Sequence, residues 1–137
     1  IMDTFGPELL RYRRYIDAEN VKLFTNISGE FGAPIAERPI EARAKGAVFV
    51  GLGDAIIVQG AMTGMETNLD EIKRAKKVVR DVPVLAGTGV SKKNVTKLLR
   101  YADGAIVGTS LKTGGNTWNP VDVNRVKEFM SIVKRAR

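Results

Sequence analysis

The chain has 137 residues, a length that fits one domain, with 44% apolar residues, 27% charged residues and a net charge of +7. It contains no cysteine and no histidine, which excludes disulfides, thiolate metal sites, a cysteine nucleophile and every Ser-His-Asp arrangement. No run approaches the roughly 18 apolar residues of a membrane span, and Ile1-Met2-Asp3 opens no signal peptide, so the expected location is cytoplasmic.

Gly6-Pro7-Glu8 opens a helix running to about Ala18, with Leu9, Leu10, Tyr12 and Ile16 as its apolar positions. Residues 21–27 read as a strand, and 28–38, with Gly29, Gly32 and Pro34, as a loop. Pro39 suits the first turn of a helix, where its missing N–H would be an orphan anyway; that helix carries Ile40, Ala44, Ala47 and Val48 to about Val50. Gly51-Leu52-Gly53 stops it. Residues 54–59 (DAIIVQ) form a continuous apolar run of the kind a strand buried on both faces shows. After a glycine-bearing loop, 60–67, Asn68 caps a helix with Glu71 in capping-box spacing. That helix runs to about Val79. Residues 82–86 are the third strand, Ser91 caps a helix that includes Asn94 and ends at Tyr101, and 103–108 are the fourth strand. A loop around Trp118 (112–120) leads to a final amphipathic helix, 121–136, with Val123, Val126, Phe129, Met130 and Val133 on its apolar side.

Helices alternating with strands indicate an α/β fold of parallel (β/α) units. An open four-stranded sheet fits the count, and so does one half of a (β/α)8 TIM barrel, whose usual length is about 250 residues. The longer loops follow strands, on the face where such folds carry ligands. Lysines and arginines are spread along the helices among acidic residues, as in Lys73, Arg74, Lys76 and Lys77. They read as solvated outer faces rather than a nucleic-acid footprint.

Two glycine turns carry the chemistry. Gly87-Thr88-Gly89 closes the third strand and Gly108-Thr109-Ser110 closes the fourth. Glycine lets a ligand approach the main chain, and successive N–H groups form an anion-binding nest. Thr88, Ser91, Thr109 and Ser110 add hydroxyls suited to phosphate oxygens. Consecutive strand ends at the close of a barrel are where phosphate usually sits, so Gly87, Thr88, Gly89, Gly108, Thr109 and Ser110 are the expected phosphate-binding residues. The competing reading is that these glycines only permit tight turns.

Asn26 and Gln59, at the ends of the first two strands with Ser28 nearby, either orient a ligand or satisfy loop backbone. Lys112 is either a charge partner for the ligand or solvated. Asp54 and Asp103 stand at strand beginnings and are expected to be structural. Glu30 and Glu66, in ligand-face loops, are solvated glutamates in one reading; in the other, partial burial makes either a general base, and Glu30 is the weak catalytic candidate. Asp122 and Arg125 are spaced for an ion pair or a cap. Trp118 either covers a ligand or packs on another part of a barrel. No metal site and no cofactor is expected.

The strings Asp54-Ala55-Ile56-Ile57-Val58-Gln59-Gly60 with Thr63-Gly64, Pro83-Val84-Leu85-Ala86-Gly87-Thr88-Gly89-Val90 with Asn94-Val95, and Ala102-Asp103-Gly104-Ala105-Ile106-Val107-Gly108-Thr109-Ser110-Leu111-Lys112 resemble the BtpA/SgcQ family. So do Pro120-Val121-Asp122 and Arg125-Val126. The resemblance runs from about Glu8 to the end and covers the carboxyl-terminal half of a family member. It implies a ribulose-phosphate-binding type of TIM barrel, from its fourth helix through its eighth. Several members are linked by name to photosystem I biogenesis. Many carry Lys-His before an Ala-Ala-Pro-Leu-like segment, where this chain has Glu30-Phe31 before Gly32-Ala33-Pro34-Ile35, so no catalytic role is carried over.

The expected function is that of a BtpA-family barrel binding a phosphorylated small molecule, with action on a phosphorylated sugar or nucleotide-like compound as its enzymatic form. The alternative is a non-catalytic assembly or stability factor of the photosystem I biogenesis type. Four strands alone leave two open edges, so the amino-terminal half of the barrel is expected to be missing from this segment, or a homo-oligomer to close it.

Overall fold

The computed structural model describes residues 6–29, 36–60, 62 and 65–136. The elements are α1 (Gly6–Tyr15), β1 (Phe24–Asn26), α2 (Ile40–Phe49), β2 (Ala55–Val58), α3 (Leu69–Val78), β3 (Val84–Ala86), α4 (Val95–Leu98), β4 (Gly104–Ala105), two 3-10 turns (Thr109–Leu111 and Thr113–Gly115) and α5 (Val123–Ala136). The strands form one sheet in the order β1-β2-β3-β4, each pair parallel. Each unit adds its strand to the same side of the sheet. This is the wall of a barrel, half of it, and not a doubly wound sheet, whose order reverses at a switch point.

The register divides the sheet into two faces. Thr25 pairs with Ile56, Ile56 with Val84, and Val58 with Ala86. Side chains alternate across a strand, so Ile56, Val58, Val84 and Ala86 share the face that the helices cover. All four are fully buried, in one core with Ile40, Ala44, Ile72, Ala75, Val95, Leu98 and Phe129. The opposite face carries Phe24, Asn26, Ile57, Leu85, Gly104 and Ile106. A Cβ on Gly104 would touch Leu85 Cδ2 at 3.0 Å, as residues on one face should. Phe24 and Ile106 on that face are 55% and 46% exposed.

At the amino ends of the strands one device is used twice. Asp54 Oδ2 accepts the Leu23 N–H at 2.9 Å while Leu23 O accepts the Asp54 N–H. Asp103 Oδ2 likewise accepts the Val84 N–H at 2.7 Å while Val84 O accepts the Asp103 N–H. Lys22 and Arg13 lie against Asp54, and Lys76 lies 2.7 Å from Asp103. The Leu23 N–H, helped by Lys22 and Arg13, holds the Asp54 carboxyl below the usual range. For Asp103 burial pushes upward, but Lys76 and the Val84 N–H together outweigh it and the carboxyl is lowered. Both aspartates are structural, as expected: each pins the start of its strand to the preceding one.

Several expectations are corrected. The first helix stops at Tyr15, because Asp17 takes φ 52° and the Ala18 and Asp17 N–H groups turn back to Arg13 O and Arg14 O. That is a Schellman closure with aspartate in place of the usual glycine. α1 has no buried residue, and Leu9, Tyr12 and Ile16 are exposed. Pro39 stands just before α2 rather than inside it, its carbonyl accepting from Ala42 and Arg43. Leu52, not Gly51 or Gly53, adopts the left-handed φ (49°) after α2. Asn68 Oδ1 caps α3 through Asp70 N and Glu71 N, but Glu71 faces Arg43 at 3.9 Å, so the capping box stays half made. α5 begins at Val123, because Val121 bridges back to Lys112 and Asp122 caps the helix through the Asn124 and Arg125 N–H groups. On that helix Val123 and Met130, expected inside, are exposed, while Phe129 is buried.

Candidate functional site

The two glycine turns lie on either side of one open cleft of about 460 Å³, also lined by Gln59, Glu66, Ser91 and Ile106. The parallel register brings this about. β3 and β4 are neighbours, and each chain reverses direction as it leaves the sheet, so residues 87–89 and 108–110 face each other across the strand ends.

The first turn is seated on the loop that follows β2. Gly89 has φ 63°, the left-handed region that favours glycine. Its Cα lies so near the Met65 carbonyl and Glu66 Cα that a Cβ would collide with both. Gly87 packs as closely on Ile57 and Gln59, where a Cβ would come within 2.5 Å of each side chain. Thr88 is buried and turned inward. Its Oγ1 accepts the Gly60 N–H at 2.5 Å, its carbonyl accepts the Thr67 hydroxyl at 2.8 Å, and its N–H meets Thr67 Oγ1 at 3.3 Å. Thr67, itself 5% exposed, is the residue the sequence reading passed over. A threonine one place before a helix cap gives no signal of the buried bond it makes across the loop.

The second turn is tied to the first. Ser110 Oγ donates to Val90 O at 2.7 Å, and Arg125 Nη1 donates to Ser110 O at 3.2 Å. The Thr109 and Thr117 hydroxyls share a bond of 2.8 Å. The hydroxyls of Thr88, Thr109 and Ser110 therefore make internal bonds, as polar groups at a folded surface tend to do. Among the described residues no acceptor takes the N–H groups of Gly89, Gly108, Thr109 or Ser110. A Cβ on Gly108, which lines the cleft, would meet nothing within 4 Å, so open space adjoins that position.

Asn26 and Gln59 come together. Asn26 Nδ2 donates to Gln59 Oε1, Asn26 Oδ1 accepts the Ser28 N–H at 3.2 Å, and Ser28 Oγ accepts the Gln59 N–H at 2.5 Å. Gln59 lines the cleft and Asn26 stands one strand further along. Ser91 and Asn94 close a reciprocal cap at the start of the α4 region: Ser91 Oγ accepts the Lys93 N–H and Asn94 Oδ1 accepts the Ser91 N–H. Asn94 Nδ2 also donates to Gly89 O at 2.9 Å.

Lys112 pairs through its backbone with Val121 and does not line the cleft. Asp122 and Arg125 make both the cap and an ion pair of 3.9 Å. Trp118 is 92% exposed. Glu30 lies outside the described residues, so its expected role has no geometry here. No cluster of His, Cys, Asp and Glu able to hold a metal occurs among the described residues, and none of their helices is long and apolar enough to cross a membrane.

A second cleft of about 390 Å³ is bounded by Ser91 and Ser110 together with Lys92, Lys93, Arg125 and Glu128. Lys92 is held by Glu128 at 2.7 Å. Positive charge thus stands close to both turns, while among the described residues the cleft between them has Glu66 as its one charged lining residue.

The model of the BtpA family matches residues 1–135. The chain is 38% identical over 137 residues to the sgc region protein SgcQ of Escherichia coli, covering 100% of this chain and 51% of the relative. It is 32% identical over 133 residues to the Photosystem I biogenesis protein BtpA of Synechocystis, covering 97% and 46% respectively. The chain spans about half the length of these curated relatives. Among solved structures, the native KDPGal structure superposes with a TM-score of 0.61 at 17% identity, covering 90% of this chain and 53% of the other. N-(5'-phosphoribosyl)anthranilate isomerase from Pyrococcus furiosus does so with 0.58 at 16%, covering 95% and 57%. These likenesses establish the half-barrel fold.

Proposed function

The chain belongs to the BtpA family, and from that premise we propose that it binds the phosphate of a small phosphorylated molecule between the turns at 87–89 and 108–110. One observation carries the reading: two glycine turns from adjacent parallel strands line one cleft and leave main-chain N–H groups without acceptors among the described residues. Such N–H groups favour an anion, and Arg125 adds positive charge behind Ser110. The body of the ligand, a phosphorylated sugar or nucleotide-like compound, then extends toward Gln59 and Asn26. In this reading the four strands are one half of a barrel, completed by amino-terminal strands of a longer chain or by a second copy. The isomerase neighbour, whose name specifies a phosphoribosyl compound, lends support to a phosphorylated ligand.

The test is calorimetric titration of the protein with inorganic phosphate and ribose 5-phosphate, beside Gly108→Val. The valine has open space at the turn and is expected to weaken both ligands by about tenfold or more, roughly 1.4 kcal/mol. Equal affinity in parent and variant, or no binding by the parent, defeats the proposal. A second reading, a non-catalytic assembly or stability factor, is favoured by the name of the Synechocystis relative. Its literal photosystem form fails for a source organism that has no photosystem.

A further inference from the structure

The cleft has an unusual charge balance for an anion site. Among the described residues its lining offers main-chain N–H groups, the Gln59 amide and Ser91, but no lysine or arginine, and Glu66 is the single charged residue there. Lys92 and Lys93 line the neighbouring cleft instead, with Lys92 paired to Glu128 at 2.7 Å. The position of Glu66 is fixed through its backbone. Thr67, the next residue, donates to Thr88 O, and Gly60, at the start of the same loop, donates to Thr88 Oγ1. Gly89 packs on the Met65 and Glu66 main chain so closely that no Cβ would fit. The described residues of the loop after β2 and the first glycine turn are therefore one unit, and a group bound at the turn lies in the cleft that Glu66 lines.

Resting on the phosphate-binding reading, we infer that Glu66 is a specificity-determining residue that selects phosphomonoesters with a neutral hydroxyl-bearing or amino-bearing body and disfavours those carrying a carboxylate. The phosphate is held by neutral donors with positive charge behind them. A second anion on the ligand meets no cation among the described cleft-lining residues and stands against Glu66. A hydroxyl or ammonium group there gains a charged acceptor. At a separation of about 6 Å, and an effective dielectric between about 20 and about 80, like-charge repulsion corresponds to roughly tenfold in affinity.

The experiment compares sn-glycerol 3-phosphate with 3-phosphoglycerate, which share a phosphate and a three-carbon skeleton and differ by a carboxylate in place of a hydroxymethyl group. Inorganic phosphate is the control, and the protein and its Glu66→Gln variant are titrated by calorimetry. The protein is expected to bind glycerol phosphate about tenfold more tightly than phosphoglycerate, and Glu66→Gln is expected to bring that ratio close to one. The variant strengthens all three ligands by removing a negative charge, so the ratio is the readout. If inorganic phosphate binds but the ratio is the same in both proteins, the role of Glu66 is overturned and the phosphate site stands. If none of the three binds the parent, the phosphate site falls, and the selectivity with it.

Discussion

Replacing Gly89 by alanine tests whether the first turn and the loop after β2 act as one unit. The left-handed φ of 63° costs an alanine about 1–2 kcal/mol. The methyl group would also lie 2.6 Å from Glu66 Cα and closer still to the Met65 carbonyl, against an ordinary carbon separation of about 3.5–4.0 Å. Because both obstacles are backbone, the loop must move by about 1 Å. Thr67 to Thr88 and Gly60 to Thr88 then lengthen beyond useful hydrogen bonds, each worth about 1 kcal/mol net. Against this, alanine narrows the unfolded ensemble and returns about 0.4–1 kcal/mol. The expected loss is about 2–3.5 kcal/mol, a large part of a stability of about 5–15 kcal/mol. Gly108→Ala is the control, since a Cβ there meets nothing, and it should fall within about 0.5 kcal/mol of the parent. Urea unfolding followed by circular dichroism measures both. Equal midpoints for the two variants would refute the coupling of turn and loop.

Acid should weaken the fold through the clamps at the strand starts. Asp54, Asp103 and Glu41 are all lowered in the folded state, Glu41 to about 2 by its two-point contact with Arg74. A lowered carboxyl contributes stability above its unfolded value, near 3.8 for aspartate and 4.5 for glutamate. That contribution is lost as pH falls through the folded value. Urea midpoints should be flat from about pH 7 to pH 5 and drop below about pH 4, and Asp54→Asn with Asp103→Asn should flatten the drop; an unchanged acid limb counts against the clamps. In the core, Phe129→Ala, at a position 6% exposed, should cost about 3–5 kcal/mol. Trp118→Ala, at 92% exposure, should change stability by less than about 0.5 kcal/mol. Thermal melts read both, and a Trp118 effect as large as that of Phe129 would mean that the tryptophan is packed.

The alternation of helix and strand was legible because each element carries its own period and punctuation. Asn68 before α3 and the unbroken apolar run of β2 are local signals, and both sit where the sequence indicates. Helix ends were less legible. Asp17 and Leu52 take the left-handed conformation although glycine is the expected residue, and the sequence offers no mark for that choice. The exposure of Leu9, Tyr12 and Ile16 was not legible either, since periodicity reports which residues share a face and not whether anything covers it. At the site, the glycines marked two turns that a shared register places at one cleft. The roles of the hydroxyls did not follow from composition. Thr88 and Ser110 read as donors to a ligand, yet their partners, Gly60 and Val90, lie 28 and 20 residues away, distances that only the fold closes.

That inward use of the hydroxyls bears on the kind of anion site proposed for the two turns. A site built from serine and threonine side chains must fix their rotamers when a ligand arrives, at a cost of about 0.5–1.5 kcal/mol for each rotamer-rich group immobilised. Here Thr88, Ser110 and Thr67 are already committed to holding loop against loop. The donors left for a ligand are main-chain N–H groups, whose positions the folded backbone has set before binding. Such donors do not titrate, and the chain has no histidine. Across the range where phosphate changes its own charge, the pH dependence of binding should therefore follow the ligand rather than the donors. The acidic clamps act at the opposite end of the same sheet. A variant that opens Asp54 or Asp103 should lower stability and leave anion affinity unchanged wherever the protein remains folded. Loss of affinity in step with stability would mean that the two ends of the sheet are not mechanically separate.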